Sequence, residues 1–236
     1  MTESARRRAW QIGAVVVFAA IVVVVLVLIL NARTTVDLTG LPADAKQATT
    51  TFGGIPQAGV ELGKGGAPAT LVEFVDPQCP FCGQYSRDVL PTLVRRYVRP
   101  GRLQLRMEPL TILGIDSKRM AGLAAAASLQ NRAWELMELF YENQGDEGSG
   151  YATDEYLRKI AQATPGLDAG RALKAADGPQ ATGVLDRAAT QASTLGVDST
   201  PRFFLEQRRK APQEVKPSDL TPEAFQAALA PLLPRP

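Results

Sequence analysis

Both cysteines of this chain fall in one short run, Cys79-Pro80-Phe81-Cys82, set between an apolar segment and a segment of helical character. Thr70-Leu71-Val72-Glu73-Phe74-Val75 reads as a buried strand closed by Asp76-Pro77. Pro80 to about Val98 reads as a helix, with Pro91 a kink and Pro100-Gly101 the stop. Leu103-Gln104-Leu105-Arg106-Met107 alternates as a second strand. Strand, helix and strand in this order form a βαβ unit, which predicts a parallel pair with a right-handed crossover. The two thiols are thereby placed where a strand passes into a helix.

Three chemistries use a cysteine pair at this spacing: half of a metal site, a structural disulfide, or a redox pair. The chain has no histidine, so a zinc site could be completed only across subunits, and no metal site is expected. The same absence excludes Ser-His-Asp and Cys-His nucleophiles and imidazole proton shuttles. A structural disulfide here would close a very small ring and constrain little of the unfolded chain. The redox reading has a mechanism. Unpaired N–H groups and the positive end of the helix dipole favour a thiolate at the helix N-terminus, and the thiolate is the attacking species in thiol–disulfide exchange. Cys79, at the exposed start of the helix, is the expected nucleophile, and Cys82, one turn inside, resolves the mixed disulfide. Pro80 preorganises the first turn, where its missing N–H costs nothing.

Two positions elsewhere fit this chemistry. Glu73 lies within an apolar strand, where poor solvation raises a carboxyl pKa; it is the expected proton acceptor for Cys82, directly or through water. The alternative sets it on a sheet edge facing solvent. Thr200-Pro201 precedes a third strand, Arg202-Phe203-Phe204-Leu205, and a cis bond there would bring the Thr200 backbone beside the cysteines.

The N-terminal part reads differently. Ala9 to Asn31 carries no charge, and Ile12 to Leu30 is apolar throughout. A helix over Trp10–Leu30 would be about 31 Å long, enough to cross a hydrocarbon core of about 30 Å. A cleaved signal peptide has a shorter apolar region and a small-residue cleavage site, which Leu30-Asn31-Ala32 does not match. Arg6, Arg7 and Arg8 before the segment predict a cytoplasmic tail over 1–9, a transmembrane helix over 10–30 and an extracytoplasmic remainder. Those arginines, set against Glu3, account for the excess of 26 basic over 24 acidic residues. The rest is balanced, so no nucleic-acid partner is expected. Residues 31–68, rich in Thr, Gly, Ala and Pro, read as exposed spacer, with 31–57 the linker proper. Gly59-Val60-Glu61-Leu62-Gly63-Lys64-Gly65 resembles a phosphate loop only superficially: its glycine spacing is one short and glycine stands where a metal-binding Ser or Thr is required.

Beyond the second strand the pattern is helical. Trp134, Met137 and Phe140 or Tyr141 form one stripe and Leu185, Ala189, Ala192 and Leu195 another, both read as core. Thr153, ahead of Asp154 and Glu155, and Thr221, ahead of Pro222, read as N-caps. The order is β-α-β, a helical block, then β and α.

Ile55-Pro56-Gln57-Ala58-Gly59, Gly63, Ala67 to Phe74 and Cys79-Pro80-Phe81-Cys82 resemble the opening of DsbA-like thiol:disulfide oxidoreductases, a branch of the thioredoxin superfamily. Trp134-Glu135-Leu136 to Phe140, Asn143-Gln144 and Gly196-Val197-Asp198-Ser199-Thr200-Pro201-Arg202-Phe203 fit the same family in order, so the resemblance covers roughly residues 52–233. It implies an α/β chain with a thioredoxin fold: a first half over 58–114, an inserted helical domain over 115–195 and a second half over 196–236. It also implies Glu73 as the buried acid and Pro201 as the cis-proline facing Cys79 and Cys82, with Pro80, Phe81 and Thr200 contacting substrate. One departure matters. Many members carry histidine at the place of Phe81, and without that imidazolium Cys79 is expected to be less acidic and the protein a less extreme oxidant.

The resulting expectation is a membrane-anchored, single-pass oxidase facing outward. Its redox-active disulfide, Cys79–Cys82, is its only cofactor. It would oxidise reduced exported proteins and be reoxidised by a quinone-linked integral membrane protein. A reductase or isomerase kept reduced is the nearest alternative, because direction depends on potential and partner. A non-catalytic tethered chaperone or binding domain is the alternative of another class.

Overall fold

The computed structural model describes residues 21–23 and 45–233. The chain divides into two units, Met1–Leu38 and Thr39–Pro236, and the second is described below. The cytoplasmic tail and the transmembrane helix expected over 1–30 lie outside the described residues, except for Ile21, Val22 and Val23, which are helical and exposed. Among the described residues no helix is long and apolar enough to cross a membrane.

Residues 45–68 are not spacer. A helix, α1 (Ala45–Phe52), buries Ala48 and Phe52, and the Phe52 ring lies 5.9 Å from that of Trp134. Two short strands follow, β1 (Gln57–Ala58) and β2 (Glu61–Leu62), which form an antiparallel hairpin through the segment that resembles a phosphate loop. The Trp134 indole N–H donates to Val60 O at 3.1 Å, so burial against the helical part holds a segment of weak intrinsic preference.

The strands β3 (Ala69–Val75), β4 (Gln104–Pro109), β5 (Arg202–Gln207) and β6 (Gln213–Val215) complete one sheet in the order β1-β2-β4-β3-β5-β6. β3 and β4 are parallel, as the βαβ reading requires, and β3 and β5 are antiparallel. The connection between β3 and β4 is α2 (Pro80–Asp88), then α3 (Leu90–Leu93) and a π-turn, Val94–Val98. Pro91 lies in the first turn of α3, just past the break at Val89, in keeping with the expected kink. Between β4 and β5 run α4 (Ile115–Ser128), α5 (Ala133–Glu142), α6 (Asp154–Ala163), α7 (Ala169–Ala175) and α8 (Pro179–Leu195), and α9 (Pro222–Leu229) closes the fold. Thr153 and Thr221 cap α6 and α9 by accepting from the backbone N–H groups of Tyr156 and Ala224. α8 ends at Gly196, whose φ of 66° is the left-handed geometry that glycine supplies at a helix terminus.

β3 lies between β4 and β5, so both of its edges are paired, and its residues are buried on both faces. Val72 and Phe74 pack with Phe204, Leu110, Ala188 and Ala192. The opposite face carries Leu71, Glu73 and Val75. There Tyr85 of α2, Phe203 of β5 and Phe225 of α9 form an aromatic cluster with centroids 4.7–5.2 Å apart, each ring contributing about 1.5–3 kcal/mol of burial. The stripe read on α8 requires a correction. Its buried residues are Ala181, Val184, Ala188 and Ala192, and Leu195 packs half-buried against the core as read, whereas Ala189 is exposed and Leu185 half-buried. The small residues let α8 lie close to the sheet, with Val184 and Ala188 buried in place of Leu185 and Ala189.

Candidate active site

Cys79 is the N-cap of α2 and Pro80 its first residue. The Cys79 sulfur accepts a hydrogen bond from the Cys82 backbone N–H at 3.4 Å, the helix-terminal contact that favours a thiolate. Both thiols are free. The expectation that Cys79 is exposed fails: it keeps 4% of its surface, and Cys82 keeps none. The cover comes from the far end of the sequence. The Thr200–Pro201 peptide bond is cis, and the Thr200 carbonyl oxygen lies 3.3 Å from Cys79 Sγ, as acceptor from the thiol. Phe81 instead points outward, 62% exposed.

The environment separates the two sulfurs. Cys79 is pushed down to about 6, first by the Cys82 thiol hydrogen-bonded to it, against the effect of burial, and then by Thr200 and the backbone N–H groups of Cys82 and Phe81. Cys82 is driven well above the ordinary thiol value by burial and by the neighbouring Cys79. One sulfur is therefore ready to attack near neutral pH, and the other must first surrender a proton.

Glu73 is 2% exposed; its place on a central strand excludes the edge alternative. Burial pushes its carboxyl up to about 8, opposed by a hydrogen bond from Tyr85. The Tyr85 hydroxyl donates to Glu73 Oε1 at 2.6 Å. Tyr85 was not singled out in the sequence, although its spacing from Cys82 along α2 puts both on one helix face. Ser86, on the same face, donates to Glu138 Oε2 of α5 at 2.6 Å.

Asp76, read only as the end of the strand, anchors the turn leading to Cys79. Its buried carboxylate accepts from the backbone N–H groups of Gln78 (2.9 Å), Ile112 (2.9 Å) and Leu113 (3.1 Å) and from Ser117 Oγ (2.5 Å). Burial nonetheless raises its pKa. Gln144 ties the segment after α5 to the same turn, donating to Pro77 O at 2.9 Å and Cys79 O at 3.1 Å. Neither role carries a local sequence signal, since each depends on residues brought together by the helical stretch.

Beside the cysteines runs a groove of about 510 Å³, lined by Phe81, Pro201, Arg202, Phe203, Lys216 and Leu220 among others. A somewhat larger cleft, about 580 Å³, lies among Arg119, Asp154, Arg158 and Asp177. None of the cysteines, Glu73, Thr200 or Pro201 lines it.

The chain resembles a probable disulfide bond formation protein D of Bacillus anthracis, 28% identical over 147 residues that make up 61% of this chain and 68% of that protein. A disulfide bond formation protein D of Bacillus subtilis is 29% identical over 106 residues, which is 44% of this chain and less than half, 47%, of that protein. The crystal structure of oxidised BdbD from Bacillus subtilis superposes with a TM-score of 0.62 at 18% identity, covering 74% of this chain and 92% of that one. The family model described as Thioredoxin matches residues 57–230, and with that span covering most of the sequence, the chain belongs to the thioredoxin family.

Proposed function

We propose that the chain is a DsbA-like thiol:disulfide oxidoreductase that passes the Cys79–Cys82 disulfide to exported proteins. The observation that carries this is the asymmetric thiol pair: Cys79 is acidic at the start of α2, beside Thr200 and the cis Pro201, while Cys82 is buried and proton-bound. A substrate thiolate attacks Cys79 Sγ, forming a mixed disulfide and breaking the Cys79–Cys82 bond. The departing Cys82 thiolate takes a proton from the Glu73 carboxyl. A second substrate thiolate attacks the substrate sulfur of the mixed disulfide and releases Cys79 as thiolate. Two electrons thus pass from the substrate dithiol to the cysteine pair. Reoxidation reverses the proton path: Cys79 attacks a partner disulfide, Cys82 gives its proton to Glu73, and Cys82 then displaces the partner thiolate. No other cofactor takes part.

Phe81 and the groove beside Pro201 offer an apolar surface to unfolded substrate, and Thr200, the residue before Pro201, adds contacts where its carbonyl meets Cys79. The names of the Bacillus relatives support the oxidising direction. The uncharged run Ile12–Leu30 behind Arg6, Arg7 and Arg8 supports a single membrane anchor with the catalytic part outside. A membrane-embedded quinone-linked oxidase then serves as the electron acceptor.

The test is trapping. In the full chain, Cys82→Ala should accumulate covalent adducts on Cys79 that reducing agent releases, and mass spectrometry identifies substrates and recycler among them. Equilibration with glutathione fixes direction: a potential near about −120 mV fits an oxidase, and one near about −270 mV overturns that direction in favour of a reductase. Absence of adducts would overturn the enzymatic reading.

A further inference from the structure

On the side of β3 that carries Glu73 lies a cavity of about 20 Å³, and its walls include Glu73, Tyr85, Ser86, Glu138 and Tyr141. Glu138 belongs to α5 and is 1% exposed. One of its oxygens is held by Ser86; the other, Oε1, is buried with no hydrogen-bond partner, and so is the hydroxyl of Tyr141 one turn along the helix. A carboxylate oxygen and a phenol buried in this way cost free energy unless something meets them. A cavity needs about 10–15 Å³ to hold one water, and a buried water needs two or more polar partners. This cavity meets both conditions.

We propose that this cavity binds a single water molecule between Glu138 and Tyr141, and that Glu138 acts through Glu73 as a positioning residue for its proton. The inference rests on the thiol–disulfide exchange proposed above. Glu73 must be neutral when the Cys82 thiolate departs, and Glu73 is itself shut off from solvent, so a proton it has lost can return only through a neighbour. The water delivers one of its protons to Glu73 and takes one from Glu138, leaving Glu73 neutral and Glu138 ionised. No electrons move in this step. Glu138 is suited to it because burial pushes its carboxyl up to about 7, with Glu142 adding to the rise and the Ser86 bond and Arg87 opposing it. The other titratable groups that line the cavity are Tyr85 from α2 and Glu73 from β3. Burial first, and then the charges of Cys82, Asp76, Cys79 and Glu73, push the Tyr141 phenol well above its usual value, so it stays a donor to the water.

Two measurements on the full chain decide the matter. A crystal structure at atomic resolution is expected to show a water within hydrogen-bond reach of Glu138 Oε1 and Tyr141 OH; a dry cavity overturns the proposal whatever the protein does with thiols. Rapid-mixing kinetics of mixed-disulfide resolution, followed across pH, supply the second readout. Glu138→Gln keeps an acceptor for Ser86 but cannot exchange a proton. It is expected to slow repeated turnover about ten-fold or more near pH 7 and to displace the pH profile. Tyr141→Phe, which deletes only the other unpartnered group, is expected to slow the same limb. A lowered melting temperature with an unchanged pH profile in both variants marks Glu138 as a strut between α2 and α5 and overturns the relay. A wild-type chain that exchanges no thiols at any pH overturns the functional reading itself and the role of Glu138 with it, while the water stands or falls on the map alone.

Discussion

Tyr85 and Glu73 share one hydrogen across 2.6 Å, in a contact buried at both ends that joins the cysteine-bearing helix to the central strand. The phenol's own pKa is raised well above its usual value, first by burial and then by Glu73, so Tyr85 remains a donor at any physiological pH. The carboxyl it faces is held between two demands. Burial favours the neutral acid, the phenol favours the carboxylate, and burial prevails.

That balance makes stability pH-dependent in a definite direction. The folded-state pKa of Glu73, about 8, lies above its ordinary value of 4.5, so the folded chain holds a proton the unfolded chain has lost. The stabilising effect of that proton is complete below about 4.5 and is lost as pH rises through about 8. Glu73→Gln, which keeps an acceptor for Tyr85, should leave stability little changed at pH 4.5 and raise it by a few kcal/mol, roughly, above pH 8. Denaturant melts at the two pH values measure this, and an equal effect at both would sink the assignment. The same variant should slow formation of the Cys79–Cys82 disulfide, because Cys82 loses its proton acceptor.

Cys79 shows the opposite sign. Its folded-state value, about 6, lies below the ordinary thiol value of 9.0. The stabilisation it lends the reduced form is therefore present above about 9 and disappears as pH falls through about 6. Alkylation of the reduced protein should titrate with a midpoint near 6. Because the Cys82 thiol is the largest single cause of that low value, Cys82→Ala should move the midpoint upward. A midpoint that stays in place would assign the acidity to the helix terminus alone.

Phe81 tests what the missing imidazolium is worth. Its side chain is exposed but its N–H supports the Cys79 thiolate. Phe81→His should lower the Cys79 midpoint below about 6 and make the disulfide more oxidising, by about 30 mV per pKa unit. The gain should shrink above pH 7 as the imidazole loses its charge. A potential that is unaltered across pH 5 to 8 would show that the side chain at this position does not reach the sulfur.

The sequence made Cys79 and Cys82 legible because their signal is local, a cysteine pair at a strand-to-helix junction; an X-Pro step before a strand only pointed toward Pro201, whose place beside the cysteines was implied by the family resemblance. Glu73 was legible because a charge within an apolar run stands out. Tyr85, Asp76 and Glu138 were not, because a tyrosine in a helix, an acid after a strand and an acid on an amphipathic stripe each have an ordinary reading. Tyr85 meets Glu73 where α2 packs on β3, Ser86 meets Glu138 where α2 packs on α5, and Asp76 meets Ser117 of α4. The same holds for α1, whose Thr49-Thr50-Thr51 gives little helical preference and whose order comes from Phe52 meeting Trp134. The two-residue strands β1 and β2 are too short to show any periodicity.

Gly83 offers the last test, one in which two effects of similar size compete. A β-carbon there would collide with Gln144 Oε1 and press on Arg87 Nη1, while alanine in a helix is favoured over glycine by about 1 kcal/mol. Displacing Gln144 loses its bonds to the carbonyls of Pro77 and Cys79, worth about 0.5–1.5 kcal/mol each. The two losses together outweigh the gain, so Gly83→Ala alone should destabilise the protein by about 1 kcal/mol. In a Gln144→Ala background the obstacle is gone and the bonds are already lost, so the same substitution should become stabilising. That reversal of sign in a double-mutant cycle is a coupling that helix propensity cannot produce. If Gly83→Ala has the same sign in both backgrounds, Gln144 is not held against the first turn of α2, and the carbonyl of Cys79 has lost its second donor.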